Sequence, residues 1–398
     1  MKKPELLSPA GNLEAVKTAI RFGADAVYIG GEFLQLRARS AGFSLENMQQ
    51  AASIVHSAGK RLYVTVNALA HSNELNEVKN YAVKLKEIGA DAAIVSDLGV
   101  LDVMHKACPQ LELHISTQAS CQNYASALAY YHHGAKRIVL AREMNLEDIR
   151  DMKSNIPEDL ELEAFVHGAM CMAVSGRCIL SSALLGRSAN RGSCAQPCRW
   201  NYYLVEETRP NQYLPIEEDG ATSILSSRDL NCIAFLDELQ NAGVRSFKIE
   251  GRMKTEYYVA VVTNAYRHAI DHSAPIDQLQ HELETISHRP YTSGFYYNEL
   301  PSDHFNKGNY IQEYSFCGIV KSVENGYAII EQRNRFSVGD TLEVISPSSL
   351  GSSLYVDAII NSSGCSVNSA TLVQELVRIP ANTNLFPGDF LRIKNHSI

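Results

Sequence analysis

The stretch GADAVYIG at residues 23–30 returns almost unchanged as GADAAIVS at residues 89–96. Each copy follows an amphipathic segment that stops at its glycine and then runs on as a short apolar stretch. A glycine that closes a helix directly before a buried strand is the recurring joint of β-α units. Outward from the first copy, apolar runs read as strands at Glu5–Ser8 and Arg61–Val66, and the second copy supplies Ala92–Ser96. Further runs lie at Leu111–Ser116, Arg137–Leu140, Leu160–Val166 and Ser246–Glu250. Between them, helical patterns cover Asn12–Phe22, Ser44–Ala58, Ser72–Ile88, Val100–Lys106, Asn123–His133, Leu146–Lys153, Cys232–Asn241 and Tyr257–His272. Eight strand–helix pairs in about 270 residues favour an α/β fold of the TIM-type (β/α)8 barrel class over an open doubly wound sheet. No G-x-G-x-x-G follows the first strand, which weakens a dinucleotide-binding alternative.

The remaining chain reads differently. Residues 1–272 form the expected barrel, with a cysteine-rich insertion at 168–200, and residues 273–309 read as a linker or extension. From 310 to 398 short strands with V/P-G-D turns (FSVGDTLEVISP, FPGDFLRI) predict a small all-β barrel domain. The 398 residues are 45% hydrophobic and 20% charged, with a formal net charge of −8. That balance suits a globular protein with a large core and argues against a nucleic-acid-coating surface, although a local basic patch suffices for one RNA. The start, MKKPELLSPAG, develops no apolar core of signal-peptide length, and no uncharged apolar run approaches the ~18 residues of a membrane span. A cytoplasmic location is therefore expected.

Four of the nine cysteines fall between Glu163 and Trp200: Cys171, Cys178, Cys194 and Cys198. Their pattern is C-x6-C, a fifteen-residue gap, then C-x3-C. Thiolates clustered this way in a reducing compartment point to a metal or a cluster. Irregular spacing fits an iron–sulfur centre better than a structural zinc, whose knuckles are usually shorter. The odd cysteine count, with Cys108, Cys121, Cys232, Cys317 and Cys365 scattered elsewhere, argues against a disulfide framework. From Cys171 to Trp200 the chain carries Arg177, Arg187, Arg191 and Arg199 and no Asp or Glu. Such a surplus lowers thiol pKa values and suits an anionic substrate. Cys232 is a rival to Cys198 as the fourth ligand.

Glu163, Phe165, Gly168, Ala169, Met170, Cys171, Gly176, Cys178, Leu180 and Ser181 together resemble the signature of the collagenase-like U32 peptidase family. The resemblance continues through GSCAQPCRW (192–200), SRDL (227–230) and FKIEGRMKTEYYV (247–259). Within that family, length and the later motifs are most similar to a tRNA-hydroxylating branch. The resemblance implies 5-hydroxyuridine formation at the wobble position of tRNA, with prephenate as a required metabolite; the iron–sulfur cluster read from the cysteines is expected to be of the 4Fe–4S type, its nuclearity not being fixed by the spacing. Other branches imply rRNA or quinone-precursor hydroxylation, and the family name implies proteolysis. H-E-x-x-H and G-x-S-x-G are both absent, which argues against a hydrolase; a non-enzymatic RNA-binding role is a third reading.

In a barrel of this class the reacting groups sit where strands end and βα loops begin. That rule gathers Ser8, Gly30, Asn67, Asp97, Gln118, Arg142 with Glu143, His167 with Cys171, and Glu250 with Arg252 at one mouth. His167 is a candidate proton carrier, and Glu250 and Arg252, two apart in KIEGR, share one face as candidate catalytic groups. Asn67, Gln118 and Arg142 are candidate substrate contacts. Arg37 and Arg39, alternating along an extended loop, suit a dicarboxylate or phosphate such as prephenate. Trp200, Tyr202 and Tyr203 are candidates to stack an unpaired anticodon base.

Overall fold

Six of the barrel helices open on a polar residue that ends a strand loop. Asn12, Ser44, Asp97, Asn123, Asn145 and Thr255 all accept a hydrogen bond from a backbone N–H two or three residues into the following helix. At the far end, Gly23 and Gly89 have φ of +95° and +90°, a left-handed turn that glycine adopts without strain and that sends the chain straight into the next strand. The computed structural model describes residues 3–36, 42–171, 175, 178, 180–200, 203–205, 213–215, 228–297 and 310–395.

In order, the elements are β1 (Glu5–Pro9), α1 (Leu13–Arg21), β2 (Ala26–Gly30), α2 (Leu45–Ser57), β3 (Arg61–Val66), α3 (Leu75–Glu87), β4 (Ala92–Val95) and α4 (Leu98–Ala107). There follow β5 (Glu112–Ile115), α5 (Tyr124–His132), β6 (Ala135–Val139), α6 (Leu146–Ser154), β7 (Glu161–Ala169) and the short α7 (Leu180–Leu185). A two-stranded ribbon comes next, β8 (Tyr203–Val205) with β9 (Tyr213–Pro215), then β10 (Asp229–Asn231), α8 (Leu236–Asn241), β11 (Val244–Ile249) and α9 (Glu256–Ile270). Strands β1 to β7 pair in parallel in sequence order, and β11 closes the ring by pairing in parallel with both β7 and β1. The closed eight-stranded parallel barrel with its surrounding helices is thus the expected TIM-type fold.

Two features depart from the expected layout. β10 runs antiparallel to β7 at its mouth end, pairing Asp229 with Ala169 and Asn231 with His167. The stretch read as a linker or extension contributes α10 (Ile276–Glu284) and β12 (Tyr291–Thr292), which pairs with β10 and packs onto the barrel. A buried ion pair, Arg289 Nη2 to Asp229 Oδ1 at 2.7 Å, ties the two strands together. Residues 298–309 lie outside the described ones.

The C-terminal region is all β. Its eight-stranded sheet has its own apolar core, with Val320, Ile330, Leu342, Leu354 and Ile379 among the fully buried members. Against the barrel it sets Phe390 and Ile345, which join the barrel core, and Arg392, whose guanidinium reaches Glu282 of α10 at 2.9 Å and Glu343 at 2.7 Å. Among the described residues no helix is long and apolar enough to cross a membrane.

Candidate active site at the barrel mouth

The floor of the barrel is charged rather than apolar. Glu163, fully buried on β7, receives the Lys248 ammonium at 2.8 Å and the Arg137 guanidinium at 3.0 Å. Arg137 also meets Glu5 at 2.6 Å, and the Ser246 hydroxyl donates to Glu5 and to Glu163. Burial opposes ionisation of Glu163, but the Lys248 and Arg137 charges outweigh it and hold the carboxyl down at about 2. Lys248 lies over the Tyr28 ring, 4.6 Å from its centroid, and forms the boundary between this network and the space above it.

Above the floor opens a cavity of about 180 Å3. Asn67, Gln118, Arg142, Glu250 and Arg252 line it, together with Cys171, Cys194 and Cys198. Arg142 lies over the Phe165 ring, 4.2 Å from its centroid; its Nη1 donates to the Ala169 carbonyl at 3.2 Å, and its Nη2 stands 3.9 Å from Glu250. Its buried Nε, like the buried Oδ1 of Asn67, has no protein partner. An orphaned donor and an orphaned acceptor on one cavity wall are the mark of a polar occupant. Arg252 donates through Nη1 to Thr65 Oγ1 and through Nη2 to Gln35 Oε1, both at 2.7 Å.

Lys248 was missed by sequence reading, yet its signal was present. In the run Lys248-Ile-Glu250-Gly-Arg252, strand alternation puts the lysine on the same face as the two residues singled out, and all three line the cavity.

His167 does not line the cavity. The β7–β11 register slips between Lys248 paired with Phe165 and Ile249 paired with His167, so Val166 is an extra residue and the alternation reverses beyond it. The imidazole consequently packs on the outer side, its Nδ1 3.3 Å from the Tyr266 hydroxyl, among the rings of Tyr258, Tyr266 and Tyr291. Burial first, then the neighbouring His288 and Lys254, push it down to about 3 against the opposing pull of Asp229. Because the unfolded imidazole binds a proton near 6.5 and the folded one does not, its burial contributes stability that is complete above that pH and declines as the pH falls towards 3. We expect His167→Gln to flatten that limb, by up to about 1.4 kcal/mol per pH unit, in urea-midpoint measurements from pH 7 to 4. An unchanged slope would show that His167 is already charged in the fold.

Other expected mouth residues have structural tasks. Asp97 caps α4, and the Ser8 hydroxyl bonds Thr263 on α9 at 2.9 Å. Glu143 accepts the Ser175 backbone N–H at 2.8 Å and so anchors the cysteine segment. Arg191 clamps the other side of that segment, on Glu74 at 2.9 Å and the Leu69 carbonyl, and its charge is thereby neutralised rather than offered to phosphate. Trp200 is 43% exposed at the rim and does not line the cavity. Arg37, Arg39, Arg177 and Tyr202 lie outside the described residues, as do the side chains of Arg199 and Tyr203.

Of the four clustered cysteines, Cys178 is half-buried and is not among the lining residues. The Gln196 N–H donates to Cys194 Sγ at 3.3 Å, the kind of bond that tunes a ligating thiolate. Cys232 is fully buried on β10's outgoing turn, and burial pushes its thiol well above the usual range. Among the described residues no three His, Cys, Asp or Glu side chains are already drawn round an ion position. The donors at the cavity fit a soft centre by chemistry: the three thiols of Cys171, Cys194 and Cys198 share its lining with Arg142, Lys248 and Arg252.

Comparison with known proteins decides the lineage: residues 11–306 match the family model Peptidase family U32, and residues 312–392 match Peptidase family U32 C-terminal domain. The chain belongs to peptidase family U32. Among its relatives, "tRNA hydroxylation protein P1" of Bacillus subtilis is 33% identical, over 98% of this chain and 95% of that protein. "tRNA hydroxylation protein P" of Escherichia coli is 36% identical over 87% of each chain. A protein named "Collagenase" from Porphyromonas gingivalis is 36% identical over 73% of each. The fold's second domain is therefore also a U32 feature, separately matched from the barrel.

Proposed function

We propose that this chain hydroxylates RNA, forming 5-hydroxyuridine at the tRNA wobble position, with an iron–sulfur cluster and prephenate as its required metabolite. One observation carries the reading: Cys171, Cys194 and Cys198 meet Arg142, Lys248 and Arg252 around a single cavity, in a chain whose relatives over nearly its full length are named for tRNA hydroxylation. Cys171, Cys178, Cys194 and Cys198 would hold the cluster; Cys232, the rival for the fourth place, is fully buried and does not line the cavity. When bound, the cluster supplies one-electron chemistry or an open iron acting as a Lewis acid, which side chains lack. Arg142 and Arg252 hold an anion by charge-assisted hydrogen bonds, Asn67 and Gln118 offer amides to a base edge, and Glu250 is the carboxylate within reach for a proton.

The collagenase-named relative raises hydrolysis. Among the described residues lining the cavity there is no histidine, so the thiols there lack the imidazole partner that activates a cysteine nucleophile.

Mass spectrometry of tRNA nucleosides from cells with and without the protein tests the reading. The expected result is loss of wobble 5-hydroxyuridine, and an unchanged nucleoside profile refutes it. Anaerobically purified Cys171→Ala and Cys194→Ala are expected to lose iron and visible absorbance together. Full iron retention in both would move the ligands elsewhere, while Cys198→Ala against Cys232→Ala assigns the fourth.

A further inference from the structure

Exposed large apolar side chains are unevenly spread over the barrel. Leu69, Leu98, Leu184, Leu185, Trp200 and Met253 are each 39–57% exposed, and every one follows the mouth end of a strand. The loops that return from helix to strand at the opposite end expose none. Three of the six adjoin cavity residues: Leu69 lies two beyond Asn67, Trp200 two beyond Cys198, and Met253 directly after Arg252. The Leu69 N–H donates to the Asn190 carbonyl, so the β3 loop and the cysteine segment form one continuous rim. Solvent exposure of this many apolar groups at one end of a barrel marks a contact surface.

We infer that this apolar crown receives the unpaired bases that flank the target base in an RNA loop. The inference rests on the proposed function and names how that substrate is held. The cavity is small and polar, fit for one base or a small anion. A base enters it only by leaving its stack, and its neighbours then lose their stacking partners. Leucine, methionine and tryptophan surfaces around the opening replace those partners without reading sequence, since every base has an apolar face. Charge favours RNA over an apolar protein partner, because Arg142, Lys248 and Arg252 line the opening that the crown surrounds, against one acid, Glu250. A fully paired helix has no free base faces to offer and gains nothing from the crown.

Trp200 is the single tryptophan of the chain, so its emission reports on the rim directly. The test titrates the full-length protein, at fixed salt, with an RNA hairpin bearing an unpaired loop, with a blunt duplex of equal phosphate number, and with anionic phospholipid vesicles. The hairpin is expected to quench Trp200 and to bind about tenfold or more tighter than the duplex. The double variant Leu69→Ser/Leu98→Ser should weaken the hairpin about tenfold. It should leave the melting temperature, the duplex affinity and the salt slope unchanged, since it removes no phosphate contact. Equal quenching by hairpin and duplex, or unaltered hairpin affinity in the serine variant, overturns the crown. So does a vesicle-induced blue shift stronger than any RNA response, which would give the surface to membrane. Intact wobble modification combined with unaltered serine-variant binding sinks this inference alone, whereas loss of the nucleoside dependence sinks the function beneath it.

Discussion

Replacing Glu163 by alanine is expected to cost about 3–5 kcal/mol, enough to leave the protein unfolded or barely folded at ambient temperature. The carboxylate is fully buried and is the acid that pairs with Lys248, at 2.8 Å; it also shares Arg137 with Glu5 and Glu161. Its removal strands a buried ammonium in the barrel floor, and an uncompensated buried charge is far costlier than a missing pair. The separation of these two costs is measurable. Glu163→Gln keeps the shape and should still lose several kcal/mol, whereas the double variant Glu163→Met/Lys248→Met should recover much of the loss, because both desolvated charges leave together. Denaturant midpoints of the wild type, Glu163→Met, Lys248→Met and the double variant form the cycle; a Glu163 single-variant loss under about 1 kcal/mol would show that water or another anion already serves Lys248. The pH dependence carries a sign of its own. Since the folded carboxyl titrates at about 2 and an unfolded one near 4.5, the network's contribution is whole above pH 4.5 and drains as the pH falls towards 2. Glu163→Gln should lack that acid limb.

This floor explains part of what was legible in the chain and part of what was not. The repeated GADA phrases announced the barrel because helix-closing glycines and buried strands are local features, decided by residues a few positions apart. Asn67, Gln118, Arg142, Glu250 and Arg252 were found by one rule, that mouth residues follow strand ends, and all of them line the cavity. His167 obeyed the same rule and yet faces outward, because a bulge at Val166 depends on how β11 pairs with β7, which no local pattern announces. The β10–β12 addition was hidden for a similar reason: its strands are two and three residues long and are held by the Asp229–Arg289 pair across sixty positions of sequence. Glu163 itself was quoted only as a motif letter. Its partners, Arg137 and Lys248, come from two other strands, so the network exists only after the ring closes.

Gly30→Ala should cut RNA hydroxylation by about a hundredfold while changing the melting temperature little. A Cβ at position 30 would lie 2.0 Å from Arg252 Nη1 and 2.4 Å from Gln35 Oε1, and the clash falls on the ends of flexible side chains rather than on backbone. The strand can therefore stay in place while the guanidinium swings away from Thr65 and Gln35. Displacement of a positioned group by about 1 Å is enough for a loss of that size when the group orients substrate. Arg252→Lys makes the complementary case: it keeps the positive charge but cannot bridge Thr65 Oγ1 and Gln35 Oε1 with one planar fork, and should fall to a similar activity. If charge alone mattered, the lysine variant would retain activity and Gly30→Ala, which keeps the arginine, would be nearly silent. The ratio of the two rate losses, read against unchanged thermal melting, thus distinguishes a cation that merely attracts an anion from one whose orientation at the mouth is fixed by its two neighbours.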